Sequence, residues 1–178
     1  MSELRTNKIY PRDGLPADAW GGGIVQVKYA TLDADTTVTT FTDVLTLSFT
    51  PKSASNKVLL DLRARTQLDY NTSGDQWYIG ITRSIDGGSE VWVSGAGKNS
   101  TSGNPTGRYA FHVLSNTSNQ WNPGVYVTVP DLPATTGTIT YTVSIGPWGA
   151  ATGSLRLNRQ NGDGERDGLQ LIAYEISG

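Results

Sequence analysis

The densest group of candidate ligands is the stretch NGDGERDG, where Asn161, Asp163, Glu165 and Asp167 alternate with other residues. Hard cations need several converging oxygens, and this spacing partly follows that of calcium loops. The pattern is incomplete. No acidic residue stands at the twelfth position, and Arg159 and Arg166 can pair with the same carboxylates. A solvated hairpin tip is the better reading, and no metal site is expected. His112 is the one histidine, so a Ser/His/Asp hydrolase would have to use it. It alternates away from Tyr109, Phe111 and Val113, shares its face with Arg108, and has no G-x-S-x-G elbow to serve. A zinc site with one His and no Cys would need carboxylates for most of its ligands. The expected role of His112 is that of an ordinary surface or interface residue.

Paired carboxylates cleave glycans when held at a set separation. The candidates are Asp61, Asp69, Asp75, Asp86, Glu90, Asp163 and Glu165. Most fall in turn sequences, where Asp serves local hydrogen bonding, and nothing singles out a pair. No catalytic residue and no cofactor are expected, and the chain is read as non-enzymatic. Loop aromatics offer a different chemistry, because sugar rings stack on exposed indoles while amides hold their hydroxyls. Trp121 with Asn119 and Asn122, in SNQWNPG, and Trp148, in GPWG, are the residues through which a cell-surface polysaccharide would be held. The competing and preferred reading makes each indole a cover for the end of a β-sandwich core.

The elements that would position these side chains are strands. KVLLDLRARTQLD, residues 57–69, puts Val58, Leu60, Leu62, Ala64, Thr66 and Leu68 on one face. Lys57, Asp61, Arg63, Arg65 and Gln67 take the other, and such alternation marks a half-buried antiparallel strand. QWYIGITR, GRYAFHVLS and TITYTVSI alternate in the same way. Further strands are expected at Ile24–Leu32, Phe41–Phe49, Ser89–Ser94, Val125–Val129, Ser154–Arg159 and Leu169–Ile176, separated by Gly/Asn/Ser/Asp turn sequences. No segment has a helical period over three turns. About ten short strands with frequent turns predict an all-β antiparallel sandwich of the jelly-roll kind. The absence of a fixed repeat argues against a solenoid or propeller.

Composition narrows the function further. The 178 residues are 37% hydrophobic and 17% charged, with 21 Gly and no Cys. Disulfide and thiolate chemistry are excluded. A net charge of −2 and a pI near 5.3 provide no global basic field, so nucleic acid is not an expected partner. Arg5, Lys8 and Arg12 are offset by Glu3, Asp13 and Asp18. No apolar run approaches the ~20 residues of a membrane span, and the N-terminus lacks a signal-peptide pattern. Neither membrane insertion nor export by that route is expected.

Residues 1–22 differ from the rest. They are polar, and Pro11, Pro16 and the Gly21–Gly23 run interrupt them. Such a segment buries little of itself, and disorder is its default state. It is read as an extended assembly arm ahead of a jelly-roll domain at 23–178, with Leu4, Ile9 and Trp20 as the side chains that would anchor it. Residues opposite a strand's main apolar stripe are candidates for contact between subunits: Val44, Leu59, Tyr78, Trp92 and Leu114. The plainer alternative is that any surface exposes some apolar side chains.

SELRTNKIYPRDGLPADAWGGGIVQV, followed by FTDVLTLSFTPKSASNKVLLDL, resembles the opening of small virion proteins of tailed phages, notably those of cyanobacteria and other marine bacteria. The shared pattern runs NKI-P-DG-P-GGGI-QV, then P-SASNK-L, and covers Leu4 to Leu62. GSLRLNRQNGDGERDGLQLIAYEIS is similar to the closing hairpin of that family, with its NR turn, Asp/Gly loop and final L-L-EI strand. The middle, about residues 70 to 135, has no counterpart. The resemblance implies a jelly roll like that of tumour necrosis factor and complement proteins, assembled as a homotrimer. It also implies a place on the exterior of a phage particle assembled in the host cytoplasm, against other virion proteins of tail or capsid. The expected role is a short tail fibre for host attachment. Alternatives are a capsid decoration protein that stabilises the head, and a free carbohydrate-binding sandwich.

Overall fold

In the computed structural model of the chain, the residues described are 23–69, 76–93, 108–112, 124–147, 154–157 and 168–178. They form eleven strand segments: β1 Ile24–Leu32, β2 Thr36–Val38, β3 Thr42–Phe49, β4 Lys57–Asp69, β5 Gln76–Ile85, β6 Val91–Trp92, β7 Arg108–His112, β8 Gly124–Asp131, β9 Ile139–Pro147, β10 Ser154–Leu157 and β11 Leu169–Ile176. All pairings are antiparallel. The all-β sandwich read from the alternation is the fold.

Register shows how the segments combine. β4 pairs with β11 over Lys57–Arg63 and with β8 over Val58–Arg65, so β11 and β8 flank it on opposite sides. The far end of β4, Thr66–Asp69, pairs with β10, which in turn pairs with β2. Leu32 ends β1 and Thr36 begins β2, and four residue steps reach about 14 Å at most. If β10 lay on the β8 side, β1 and β2 would stand four strand spacings apart, about 19 Å. β10 therefore continues the line of β11, and β2 continues that of β1. The first sheet is then β1/β2, β11/β10, β4, β8. In the second, β9 lies between β3 and β5, while β7 and β6 share the other edge of β5 end to end.

Counted along the chain, the first sheet holds strand positions one, eight, three and six, and the second holds two, seven, four and five. That order is two interlocked Greek keys, the jelly roll. Two expectations change in detail. β2 is a segment too short for its alternation to show in sequence. The strand expected from Phe41 begins at Thr42, because Phe41 turns onto the outer surface of the second sheet.

The inward rows meet as one core. Leu60, Leu62, Leu155, Leu157, Leu169, Leu171 and Ala173 of the first sheet face Phe49, Ile79, Ile81, Trp77, Val143 and Ile145 of the second, all essentially buried. Each such aliphatic side chain contributes roughly 1.5–3 kcal/mol on leaving water. Two polar devices tie the sheets together. Asp131, at the end of β8, pairs with Arg83 of β5 and accepts a hydrogen bond from the Tyr141 hydroxyl of β9 at 2.9 Å. Glu175 of β11 is fully buried. It accepts from Asn56 Nδ2 at 2.6 Å, the Lys52 N–H at 2.7 Å and Gln26 Nε2 at 2.6 Å. Asp86 and Gly87, both at positive φ, make the tight turn after β5, closed by the Gly88 N–H on the Ile85 carbonyl at 2.9 Å. That geometry explains the DG pair there.

Candidate functional site

The outer face of the first sheet carries side chains that the core does not use. Cross-strand register arranges them in rows. Val27, Tyr174, Leu59 and Pro130 form one row across β1, β11, β4 and β8, and Tyr29, Ile172, Asp61 and Thr128 form the next. Ile24 and Ile176 pair beyond them. Ile24 is 63% exposed, Val27 47% and Tyr29 68%. Half of this face is therefore apolar and open to solvent, and it lies along β1, an edge strand of its sheet.

The other half is polar. Thr31, Gln170, Arg63 and Tyr126 make a single row across all four strands, with Arg65 opposite Gly124 beyond it. A cavity of about 340 Å³ opens here, lined by these side chains with Asp33, Ala64 and Gly168. Its origin is a coincidence of two strand breaks. The ladder from β4 to β11 ends at Arg63, and the ladder to β10 starts at Thr66. At the same level, the β1 line is interrupted by residues 33–35 before β2. The sheet gapes where the β11 line beside β4 and the β1 line beyond it both break, and the inward-facing Ala64 reaches the cavity wall.

Two glycines shape the walls. A Cβ at Gly124 would stand 2.9 Å from the Tyr126 ring, and one at Gly168 would stand 3.1 Å from Asp33 Oδ1. Tyr126 thus lies back over Gly124, and the Asp33 carboxylate sits over Gly168. Tyr126 is 71% exposed. Arg63 donates to Asp61 Oδ2 from Nε at 3.1 Å and from its terminal nitrogen at 2.7 Å. That hydrogen bond and charge raise the affinity of the guanidinium for its proton.

The residues singled out from sequence are dispersed. Leu59 stands half-buried within the apolar rows just described. Tyr78 and Trp92 belong to the second sheet, on its outer side. There Trp92 lies across Gly80 and meets Phe41 edge to face, ring centroids 6.2 Å apart. Val44 packs against the edge of the core, since the register shift between Asp43 and Leu45 turns the chain at that point. These positions occupy both sides of the sandwich and do not form one surface. Leu4, Ile9, Trp20, Leu114, Asn119, Trp121, Asn122 and Trp148 lie outside the described residues, as do residues 158–167 of the Asp/Gly loop. Of the carboxylates, Asp61 is held by Arg63, Asp86 accepts from the Thr138 N–H at 2.8 Å, and Glu90 accepts from the Thr82 hydroxyl at 3.3 Å. Among the described residues, no three His, Asp or Glu cluster as a metal site.

Sequence reasoning passed over Tyr126, Asp33 and Gln170. Arg63 and Arg65 were legible as an outward alternating pair, but the cavity exists only through the paired strand breaks.

No protein-family model matches the chain, and no curated protein matches it in sequence. Among solved structures it is similar to a chain from the structure of infectious bursal disease virus, Gx strain. The identity is 14%, over 98% of this chain and 43% of that one, at a TM-score of 0.32. The chain spans less than half the length of that protein.

Proposed function

We propose that this chain is a non-enzymatic structural protein on the exterior of a phage particle, a short tail-fibre-like component that works as a homotrimer. In this reading residues 1–22 fasten it to other virion proteins. The observation that carries the reading is the apolar half of the first sheet's outer face. Ile24, Val27 and Tyr29 stand in water on an edge strand directly after the arm, and contact with another copy would cover them. The sequence resemblance supplies the trimer and the virion. Three of the described carboxylates, Glu175, Asp131 and Asp86, are engaged in holding the fold.

The test is light scattering on the full chain, on the chain lacking residues 1–22, and on a Val27→Asp/Tyr29→Asp variant. The expected result is a trimer for the first two and a monomer for the third. A monomeric full chain overturns the proposal. A trimer that survives the double substitution moves the contact elsewhere on the sandwich. A truncated chain that falls to monomer makes the arm the trimerising element.

A further inference from the structure

We propose that the cavity at the double strand break is a binding site for one neutral pyranose unit. Its volume, about 340 Å³, lies at the small end of ligand pockets and suits a single ring with its hydroxyls. The side chains around it divide into two groups. The guanidiniums are committed: Asp61 holds Arg63 through two hydrogen bonds, and Arg65 is engaged within the protein. Thr31, Asp33 and Gln170 line the same cavity, and among the described residues their side chains have no hydrogen-bond partner. A hydroxyl, a carboxylate and an amide therefore stand unpartnered at one opening, on β1, on the link that follows it and on β11.

Those unpartnered groups select the class. A carboxylate takes hydroxyl protons in charge-assisted hydrogen bonds, while an amide and a threonine hydroxyl both donate and accept. A ligand rich in hydroxyls satisfies all three. Tyr126 adds an exposed ring, laid back over Gly124, as a platform for the C–H face of a pyranose. Gln170 and Tyr126 stand one strand to either side of Arg63, about 10 Å apart. A pyranose lying over the fixed guanidinium spans that gap with its hydroxyls. Charge excludes the sugar acids: with both guanidiniums committed, an anionic ligand would meet Asp33 as an uncompensated like charge. The site lies at the polar end of the face, two residues along each strand from the row of Tyr29, Ile172 and Asp61. A subunit contact centred on Ile24 and Val27 leaves it at the rim. The assignment stands on the cavity alone: a chain that proves monomeric yet binds the sugar refutes the trimer and leaves the site intact.

Saturation-transfer NMR and calorimetry on the full chain would test it, with glucose and galactose as probes and glucuronic and galacturonic acid as charged controls. Saturable binding of at least one hexose is expected, with a Kd on the order of 1 mM from the affinity a sugar-sized ligand attains per atom. Its uronic acid should bind about tenfold more weakly, the effect of one like charge at the cavity mouth. Asp33→Asn should remove that gap between acid and hexose. Asp33→Ala should weaken the hexose about tenfold through the lost charge-assisted hydrogen bonds, and Tyr126→Ala should do so by a similar factor. Asp33 and Tyr126 are both exposed, and an unchanged thermal melt confirms that each variant is folded. Absence of saturation by either hexose overturns the proposal. So does a uronic acid that binds as tightly as its parent hexose, or hexose binding that survives both Asp33→Ala and Tyr126→Ala.

Discussion

Asn56 and Glu175 are 119 residues apart in sequence, and their side chains meet at 2.6 Å inside the protein. The contact joins the SASNK loop after β3 to the last strand, and the Gly178 N–H closes on Asn56 Oδ1 at 3.3 Å. Gln26 extends the junction to β1, donating to both Glu175 and the Thr50 carbonyl. The PKSASNK and LQLIAYEI stretches therefore meet at one structural lock, in which Asn56 and the Lys52 N–H hold the buried Glu175 carboxylate.

This lock sets an acid limit. Burial alone would push the Glu175 carboxyl up, but the hydrogen bonds from Asn56, the Lys52 N–H, Gln26 and the Ser53 backbone outweigh it and hold the group below its ordinary value of 4.5. A carboxyl depressed in the folded state stabilises the protein above its unfolded value and loses that contribution as pH falls through the folded one. Urea unfolding of the wild type should show stability dropping as pH falls below that ordinary value, with Glu175→Gln less stable at neutral pH and flatter in acid. Asn56→Ala should cost about 1–3 kcal/mol at pH 7.

The second junction is set by Asp131. Its carboxylate is buried, while the Arg83 guanidinium keeps partial access to water. Asp131→Ala should destabilise by about 2–4 kcal/mol, less than for a wholly buried pair because water still reaches Arg83. Tyr141→Phe removes one hydrogen bond and should cost about 1 kcal/mol. Burial, then the charge of Asp131, raises the Tyr141 phenol far above its ordinary range. Tyr141 should therefore stay protonated in the folded state, favouring that state until pH rises past the ordinary tyrosine value. Alkaline absorbance titration should find that the Tyr141 phenol, identified by its loss in Tyr141→Phe, ionises only on unfolding.

Two glycines of the second sheet should respond differently to alanine. A Cβ at Gly80 would stand 2.5 Å from Cζ3 of Trp92, a side chain able to swing aside. A Cβ at Gly146 would collide with the backbone of Phe41. Gly80→Ala should cost about 1 kcal/mol and Gly146→Ala about 3 kcal/mol. In a Trp92→Ala background the Gly80 penalty should vanish while that at Gly146 remains, as chemical denaturation of the double variants would show.

The apolar face makes a prediction about concentration. If a second copy covers Val27 and Tyr29, the melting temperature of the wild type rises with protein concentration, since association stabilises the folded state by mass action. The Val27→Asp/Tyr29→Asp variant should melt at one temperature across the same range. Its intrinsic stability should fall by less than about 1 kcal/mol, because these exposed side chains contribute little to the monomer core.

Much of the architecture was legible in the sequence. The alternation of Lys57–Asp69 is local, so period two exposed β4 and its inward leucines directly. The same held for β1 and β11, whose bounds follow from their own patterns. The DG pair after Ile85 announced its turn, because positive φ is a property of a few residues and their neighbours.

The site depended on relationships that no local pattern contains. Arg63 and Tyr126 become neighbours only when β8 pairs with β4 in one register, and a slip of one residue would send Tyr126 to the core face. Asp33 reaches the cavity because β1 and the β10–β11 line break at the same level, far apart in the chain. Glu175 reads as an ordinary polar position in an alternating strand, yet it is a buried anion because β1 and the loop after β3 fold over it. Sequence by itself determined the strands and their faces, since side-chain alternation is a property of each backbone segment. Tertiary structure decided which faces meet, where the sheet opens and which charges lose their water, because those outcomes depend on pairing between distant strands.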